Sequence, residues 1–326
     1  MAAGNTNYTN LTATTLANFA NDIFDGIIKN NAALSQLKKA GNIKEVGGGT
    51  KFSHPVLYTS NTTFGAIGKN GTIATDLQDP LTRAEYNIKV LAGSVAWNLV
   101  DEAMNSGDKE KLIDLVESIK YQAESTMSNL MGAQVMQAQS AVGANDFDSI
   151  PYIISSTAST DTVAVGGIDS SATAQTFWRP YVYSTSVSAF NTSNAGLTAM
   201  ETVLTNATFG NQGPTFIITT KAIFMLYMLA LTPNVRYTKL DSGDAAFQNL
   251  LYATLPVFFD DNAPASQMFF VDGNSLKLQV LSQGNMKMTA SQPAYNQLQA
   301  RSLLYFLGDI TCGSRRTQGV ITTITG

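Results

Sequence analysis

Between Asp108 and Gln139 apolar residues return at every third or fourth position: Leu112, Leu115, Val116, Ile119, Ala123, Met127, Leu130 and Met131. Glu110, Asp114, Glu117, Lys120 and Glu124 fill the remaining positions of the first half. This spacing predicts an amphipathic helix. Asp108 stands where a first-turn acid favours the helix N-terminus. At 1.5 Å per residue the helix is roughly 48 Å long, more rod than ordinary globular helix. Leu112, Val116, Ile119, Ala123 and Leu130 are its expected core face. Gly132 and Gln134 interrupt that face and argue against a coiled coil.

The pattern changes on either side. In "LANFANDIFDGIIKNNAALSQLKKAG", Leu16, Phe19, Ile23, Ile27 and Ile28 keep helical spacing, and Gly41 supplies a stop. An amphipathic helix within an extended arm is expected there. Gly47–Gly49 then break the chain. "TKFSHPVLYT" reads as a strand. So does "AEYNIKVLAGSVAW", where Tyr86, Ile88 and Val90 alternate with Glu85, Asn87 and Lys89. The polar, glycine-rich stretch between them carries Asn70-Gly71, a strong hairpin signal. A long two-stranded arm is marginal alone. It needs a surface to lie on, which another copy of the chain can provide.

In the second half, "NAGLTAMETVLTNA" and "TKAIFMLYMLALTP" read as helices, and "PTFIITT", "LPVFFDD" and "QMFFVDG" as strands. "LKLQVLSQGNMKMTAS" and "LLYFLGDITCGSRRTQGVITTI" read as antiparallel strands. Helices and mostly antiparallel strands in blocks give an α+β class.

Composition sharpens this picture. The chain has 326 residues, enough for a sizeable core, and 44% are apolar. Only 13% are charged, about half of an ordinary soluble average of about 25%. Asn, Thr, Ser, Gln and Gly must therefore supply the polar surface. Such a surface is cheap to desolvate, which suits a protein that packs against copies of itself. The net charge of −4 lacks the basic footprint of a nucleic-acid binder. The N-terminus has no basic n-region or apolar h-region, so no secretory signal is expected. The run Ala222–Leu231 is too short to span a bilayer, so no membrane partner is expected. The Asn-X-Ser/Thr triplets at Asn10, Asn61, Asn70, Asn191 and Asn206 follow from an Asn- and Thr-rich composition.

Candidate chemistry is sparse. His54 is the only histidine. It precedes Pro55, which holds it extended, and reads as structural. One His and one Cys, Cys312, make neither a zinc site nor an internal disulfide. Asp260 and Asp261 are adjacent and point apart on a strand; a turn before Pro264 explains them. The stretch "GGIDSSATAQTFWRP" from Gly166 to Pro180 lacks a phosphate-loop signature, and Ser170 and Ser171 lack a nucleophile elbow. It reads as a Gly-Gly turn, a polar loop and Trp178 as a buried anchor. Nothing in the sequence asks for a cofactor or a metal.

The ordered set of segments resembles the major capsid proteins of tailed bacteriophages with the Hong Kong 97-type fold, over nearly the whole chain. The set comprises "KKAGNIKEVGGGTKFSHPVLY", the polar hairpin, "VDEAMNSGDKEKLIDLVESIKYQAESTMSNLMGAQ", "VGGIDSSATAQTFWRPYV", "NQGPTFIITTKAIFMLYM", "LPVFFDDNAPASQMFFVDGNSLKLQV" and "GDITCGSRRTQGVITTI". The resemblance implies an N-terminal arm over 1–47 and an E-loop hairpin over 48–95. It implies a P-domain over 96–164 with its spine helix at 108–139, completed by strands in 276–326. An A-domain spans 165–275, with Trp178 as its anchor.

Phe64 and Ile67 would then pack on a neighbouring subunit, with Lys69, Asn70 and Gly71 at the hairpin tip. Some relatives cross-link covalently from an E-loop lysine, but Lys69-Asn70-Gly71 is first of all turn chemistry. The implied function is structural and non-catalytic. Self-assembly into hexamers and pentamers would build an icosahedral virion shell in the bacterial host cytoplasm. Expected partners are copies of itself, a separate scaffolding protein, a portal and weakly contacted DNA. A cellular encapsulin-type nanocompartment shell shares the fold and is the alternative. A hydrolase would need partners for His54 that the sequence does not offer.

Overall fold

The computed structural model describes residues 31–39, 42–104, 115–160, 164–191, 194–231, 250–295 and 297–325. The expected helix over Leu16–Ile28, its stop at Gly41, and Leu112 lie outside the described residues.

Among the described residues, two six-stranded sheets and a two-stranded hairpin carry the chain. The first sheet is built around the 14-residue strand β13 (Gln299–Cys312). One edge of β13 pairs antiparallel with β4 (Lys89–Asn98) along ten residues. Its other edge takes β10 (Leu276–Leu281), β11 (Lys287–Met288) and β12 (Gln292–Pro293) in turn. β1 (Ile43–Val46) runs parallel to β10. In the first half of β13 burial alternates along the strand; in the second half every residue from Gly308 is buried. The sheet thus passes from a one-sided to a two-sided environment along a single strand.

The second sheet has the order β5 (Tyr181–Tyr183), β14 (Gly319–Ile321), β9 (Met268–Val271), β6 (Phe216–Thr219), β8 (Leu255–Phe259), β7 (Leu250–Tyr252). Every residue of β6 and β9 is buried, as their unbroken apolar runs require. One face packs on Met200, Val203, Phe224 and Tyr227 of the two helices that follow β5 and β6, here α5 (Ala195–Ala207) and α6 (Lys221–Leu231). The opposite face, with Phe216, Ile218, Phe258 and Phe269, joins the large core shared with the first sheet and the hairpin.

Three segments lie elsewhere than the sequence pattern places them. The run from Tyr86 to Val90 is two strands with different partners. β3 (Leu81–Asn87) pairs with β2 (Lys51–Leu57) in the hairpin, and the chain then changes sheet at Ile88. Tyr86 is accordingly buried and Val90 exposed. The hairpin therefore ends near Ile88, not at residue 95. The terminal strand β14 leaves the segment 276–326 and inserts between β5 and β9 of the second sheet. β1 belongs to the first sheet rather than to a separate arm.

Among the described residues, four helices precede α5. α1 (Ala32–Lys39) buries Ala32, Ala33, Leu34 and Leu37. The Asp260 carboxylate accepts the backbone N–H of Ala33 at 3.0 Å, capping a helix remote in sequence. The cluster Asp260-Asp261 is thus a turn, closed by Ala263 N–H to the Asp260 carbonyl. α2 (Leu99–Met104) follows β4, and Glu102 accepts the Trp97 indole N–H at 2.9 Å. α3 (Leu115–Val135) is the long helix, and the short α4 (Ile150–Ile153) follows it. The described part of α3 ends at Val135, four residues before Gln139. There the Gln137 carbonyl is taken by Ser149 Oγ at 2.7 Å, and Asp146 collects Gln134, Gln137 and Gly143 N–H groups. Gly132 lets Asn31, the residue just before α1, approach the helix backbone at a point where a Cβ would collide with its side chain.

Candidate assembly surfaces

The hairpin has two parts with opposite environments. Its root is core: Phe52, Val56, Ala84 and Tyr86 are buried in the large cluster. The Tyr86 hydroxyl donates to the Cys312 carbonyl at 3.0 Å, and Glu85 N–H donates to the Gly166 carbonyl at 2.8 Å. The surface that the two-stranded arm needs is thus supplied, at its root, by its own subunit rather than by another copy. Gly166 and Gly167 have φ of +63° and +76°, a conformation that favours glycine. A Cβ on Gly166 would lie 2.9 Å from that of Ala84 and 3.1 Å from the Tyr86 ring. The Gly-Gly turn is thus the seat on which the hairpin root rests.

Beyond Leu57 the ladder stops, and residues 58–80 continue without strand pairing. Phe64 is 85% exposed, and Ile67, Ile73 and Leu77 are exposed with it. The turn at the tip spans Gly68 to Gly71, closed by the Gly71 N–H on the Gly68 carbonyl at 2.9 Å. Lys69 and Asn70 are its central residues, and neither they nor Gly71 take positive φ. The hairpin turn that Asn-Gly normally makes, with both residues left-handed, is therefore absent. A Cβ at Gly71 would meet the exposed Ile67 side chain, which would have to turn aside.

On α3, Val116 and Ile119 pack against Val95, Trp97 and Ala300 of the first sheet, and Ala123 bridges this small cluster and the large core. Further along, the buried row is Met127, Met131 and Val135, spaced by four. Leu130 stands one residue off that row and is 43% exposed, which removes it from the core face. Val116→Asp and Ile119→Asp are expected to lose about 2–4 kcal/mol by placing an unpaired carboxylate against an apolar sheet. Glu117→Ala, at an exposed position, should stay within about 0.5 kcal/mol. Urea titration of the three variants checks this; equal losses would mean that the helix presents another face.

Leu130 borders a groove of about 450 Å³ between α3 and β4. The inward row of β4 reads Leu91, Gly93, Val95, Trp97, and nothing lies within 4 Å of a Cβ built on Gly93. The missing side chain leaves the gap, walled by Ile119, Ala123, Met127 and Leu304. An isolated glycine inside an alternating strand was the available sequence signal for it.

Trp178 is 1% exposed and donates its indole N–H to the Val165 carbonyl at 2.9 Å. It belongs to the large shared core, not to the core that the second sheet makes with α5 and α6. Ser170 donates to the Ala158 carbonyl, Asp169 holds Ser171 in a local turn, and Arg179 donates to the Ser170 and Ser171 carbonyls. These serines brace the loop.

His54 Nε2 lies 3.0 Å from Thr311 Oγ1 and 2.9 Å from the Gln279 amide nitrogen. Burial, then Lys44 and Lys277, lower its pKa and favour the neutral ring. It ties the hairpin root to β10 and β13. Among the described residues no three His, Cys, Asp or Glu side chains converge as a metal site.

The sequence reading missed one carboxylate pair. Asp309 is fully buried, and its Oδ1 accepts the N–H groups of Asp148 and Ile310, each at 2.8 Å. Burial, then the neighbouring Asp148 charge, hold its carboxyl protonated well above the usual range. Burial pushes Asp148 up to about 6, against the opposing pull of Lys89. Both acids favour the protonated form in the fold. They therefore add stability below the ordinary carboxylate pKa of about 3.9 that is lost as pH rises through their folded values. Asp309→Asn should flatten the fall in stability between about pH 4 and pH 6. Chemical denaturation of both proteins across that range tests it; parallel curves would refute the assignment.

No family model matches the chain, and no curated protein is significantly similar to it. Solved structures do match. The chain is similar to the subunit of the cyanophage A-1(L) capsid, with a TM-score of 0.71 and 18% identity, covering 95% of this chain and 98% of that one. It is similar to the capsid subunit of a native GTA particle, at TM-score 0.64 and 12% identity over 95% and 96% of the two chains. It also matches the SrpI encapsulin of Synechococcus elongatus PCC 7942, at TM-score 0.59 and 8% identity over 97% and 95%. These matches define the class: an α+β chain with a shell-protein fold. The fold is the Hong Kong 97 type.

Proposed function

We propose that this chain is the major capsid protein of a tailed bacteriophage, assembling through hexamers and pentamers into an icosahedral shell around double-stranded DNA. The observation that carries the reading is the hairpin. Its root is locked into the subunit core, while its tip holds Phe64, Ile67, Ile73 and Leu77 in solvent. A monomer gains nothing from such an arm, and heterologous contacts that close into rings would cover it.

In this reading the hairpin is the E-loop, the first sheet with α3 is the P-domain, and the second sheet with α5 and α6 is the A-domain. Its role is structural rather than catalytic. The low charge keeps lateral contacts cheap to desolvate and leaves the shell without a strong grip on DNA phosphates. A scaffolding protein and a portal would be its partners in the host cytoplasm. Purified protein should give rings or closed particles by light scattering and negative-stain microscopy. Monomer alone across wide ranges of concentration and salt would refute this. The encapsulin match favours a second reading, a protein-loaded cellular compartment. Particles that carry an enzyme cargo instead of DNA would decide for it.

A further inference from the structure

We propose that the pair Asp148 and Asp309 is a divalent-cation site, where a partly hydrated ion of the magnesium class ties the loop between α3 and α4 to the first sheet. The inference stands apart from the shell reading and adds a ligand which that reading does not require.

Three observations meet here. First, Asp309 carries an acceptor with nothing to accept. The residue is fully buried, and its Oδ1 takes the N–H groups of Asp148 and Ile310. Its Oδ2, equally buried, has no hydrogen-bond partner. A bare carboxylate oxygen inside a protein is costly and calls for a proton, a water or an ion.

Second, the fold delivers another carboxylate to that oxygen. β4 begins at Lys89, opposite Gly308, so its ladder with β13 stops one residue short of Asp309. Asp148 of the loop after α3 donates its N–H there instead. Burial, then the Asp148 charge, oppose the ionisation of Asp309. Two acids brought together in this way have unused capacity for a positive charge.

Third, the donors and the space suit a hard ion. Asp148 borders a cavity of about 620 Å³, lined also by Lys89, Ser140, Ala144 and Tyr152. Every nearby ligand atom is oxygen, from the two carboxylates and the Ala144 carbonyl. Mg²⁺ is commonly bound through one or two carboxylates and keeps several of its waters, for which the cavity has room. Two acids therefore suffice, although no three His, Cys, Asp or Glu side chains converge among the described residues. Lys89 is the rival cation. Its Nζ donates to the Ala144 carbonyl, and its charge acts on both acids.

The test uses the full chain, stripped with a chelator and titrated with magnesium chloride, then calcium chloride, at constant ionic strength. Calorimetry and equilibrium dialysis read the binding at about pH 8, above the value of about 6 that Asp148 takes in the fold. One saturable ion per chain is expected. Asp309→Asn keeps the shape of the side chain but removes the anionic oxygen, and should weaken binding about ten-fold or more. Asp148→Asn should do the same. Asp261→Asn, at an exposed turn, should change nothing. Lys89→Met removes the rival ammonium and frees the Ala144 carbonyl, so it should tighten binding by about three-fold to ten-fold.

That gain is not expected of a lysine with a purely structural role, and it keeps the site testable if Asp309→Asn fails to fold. Absence of saturable binding up to about 10 mM, or equal affinity in Asp309→Asn and the unaltered chain, would mean that the two acids merely share a proton, and would overturn the proposal. Unchanged or weaker binding by Lys89→Met would place the ion away from the pair and overturn it too. Particle formation does not enter these readouts, so a monomeric chain would sink the shell reading and leave the cation site to be judged on its own.

Discussion

Replacing residues 64–73 by a two-residue Asn-Gly turn should leave the circular dichroism and melting of the isolated subunit nearly unchanged and abolish closed particles. The structure separates the two effects by position. The excised segment lies wholly within the unpaired stretch 58–80, and its large apolar residues, Phe64, Ile67 and Ile73, are all exposed. Every buried residue of the hairpin lies below the cut, at Phe52, Val56, Ala84 and Tyr86.

Removing exposed residues that touch little changes folding stability by about 0.5 kcal/mol or less. Shortening an unstructured loop is worth about 0.6 kcal/mol per halving of its length, in the stabilising direction. The loss in assembly is of another order. Burying a single side chain the size of Phe or Ile contributes about 1.5–3 kcal/mol, and the same contact recurs at every subunit of a ring. Sedimentation and microscopy read particle closure, and a thermal melt reads the subunit. Normal particles would show that the tip is not an intersubunit arm. A chain that fails to fold would show that the segment belongs to the subunit core.

What the sequence made legible was periodicity, and what it hid was pairing. The row Val116, Ile119, Ala123 on α3 announced itself at three- and four-residue steps, and those residues do face the first sheet. Leu130 fits the same arithmetic but stands exposed, because the buried row past Ala123 advances strictly by four through Met127, Met131 and Val135. The alternation through Tyr86, Ile88 and Val90 is continuous in the sequence. Nothing local marks Ile88 as the point where the chain trades β2 for β13.

β14 is harder still. Its partners β5 and β9 lie about 140 and 50 residues upstream, and no pattern within residues 319–321 names them. For the candidate surfaces, the glycine-rich tip was visible as composition, whereas the groove depends on Gly93 falling on the inward side of β4. Asp309 could have been singled out as the one acid inside "LLYFLGDITC"; its pairing with the Asp148 backbone could not.

Trp178→Ala should cost the subunit about 3–5 kcal/mol, the largest single-residue loss expected outside the hairpin root. The indole belongs to the buried cluster that three bodies share. Its cluster contains Phe52 and Tyr86 from the hairpin, Phe306 from the first sheet, and Phe216 and Phe269 from the second. Truncation of a side chain that is 1% exposed leaves a cavity in a close-packed core, so both the transfer and the cavity contributions apply. Trp178→Phe separates packing from hydrogen bonding. It keeps an aromatic ring in the site but removes the donor to the Val165 carbonyl, which retains the Ile168 N–H at 3.3 Å. The carbonyl is then weakened rather than orphaned, so the loss of that bond itself should be about 1 kcal/mol. Because the cluster includes the hairpin root, Trp178→Ala should also raise amide hydrogen exchange in β2 and β3, while α5, whose core is separate, stays protected. Urea denaturation and exchange measured on the same samples decide it. A loss below about 1 kcal/mol for Trp178→Ala would mean that the site collapses freely and does not join the three bodies. Equal exchange in α5 and the hairpin would mean that the two cores unfold as one.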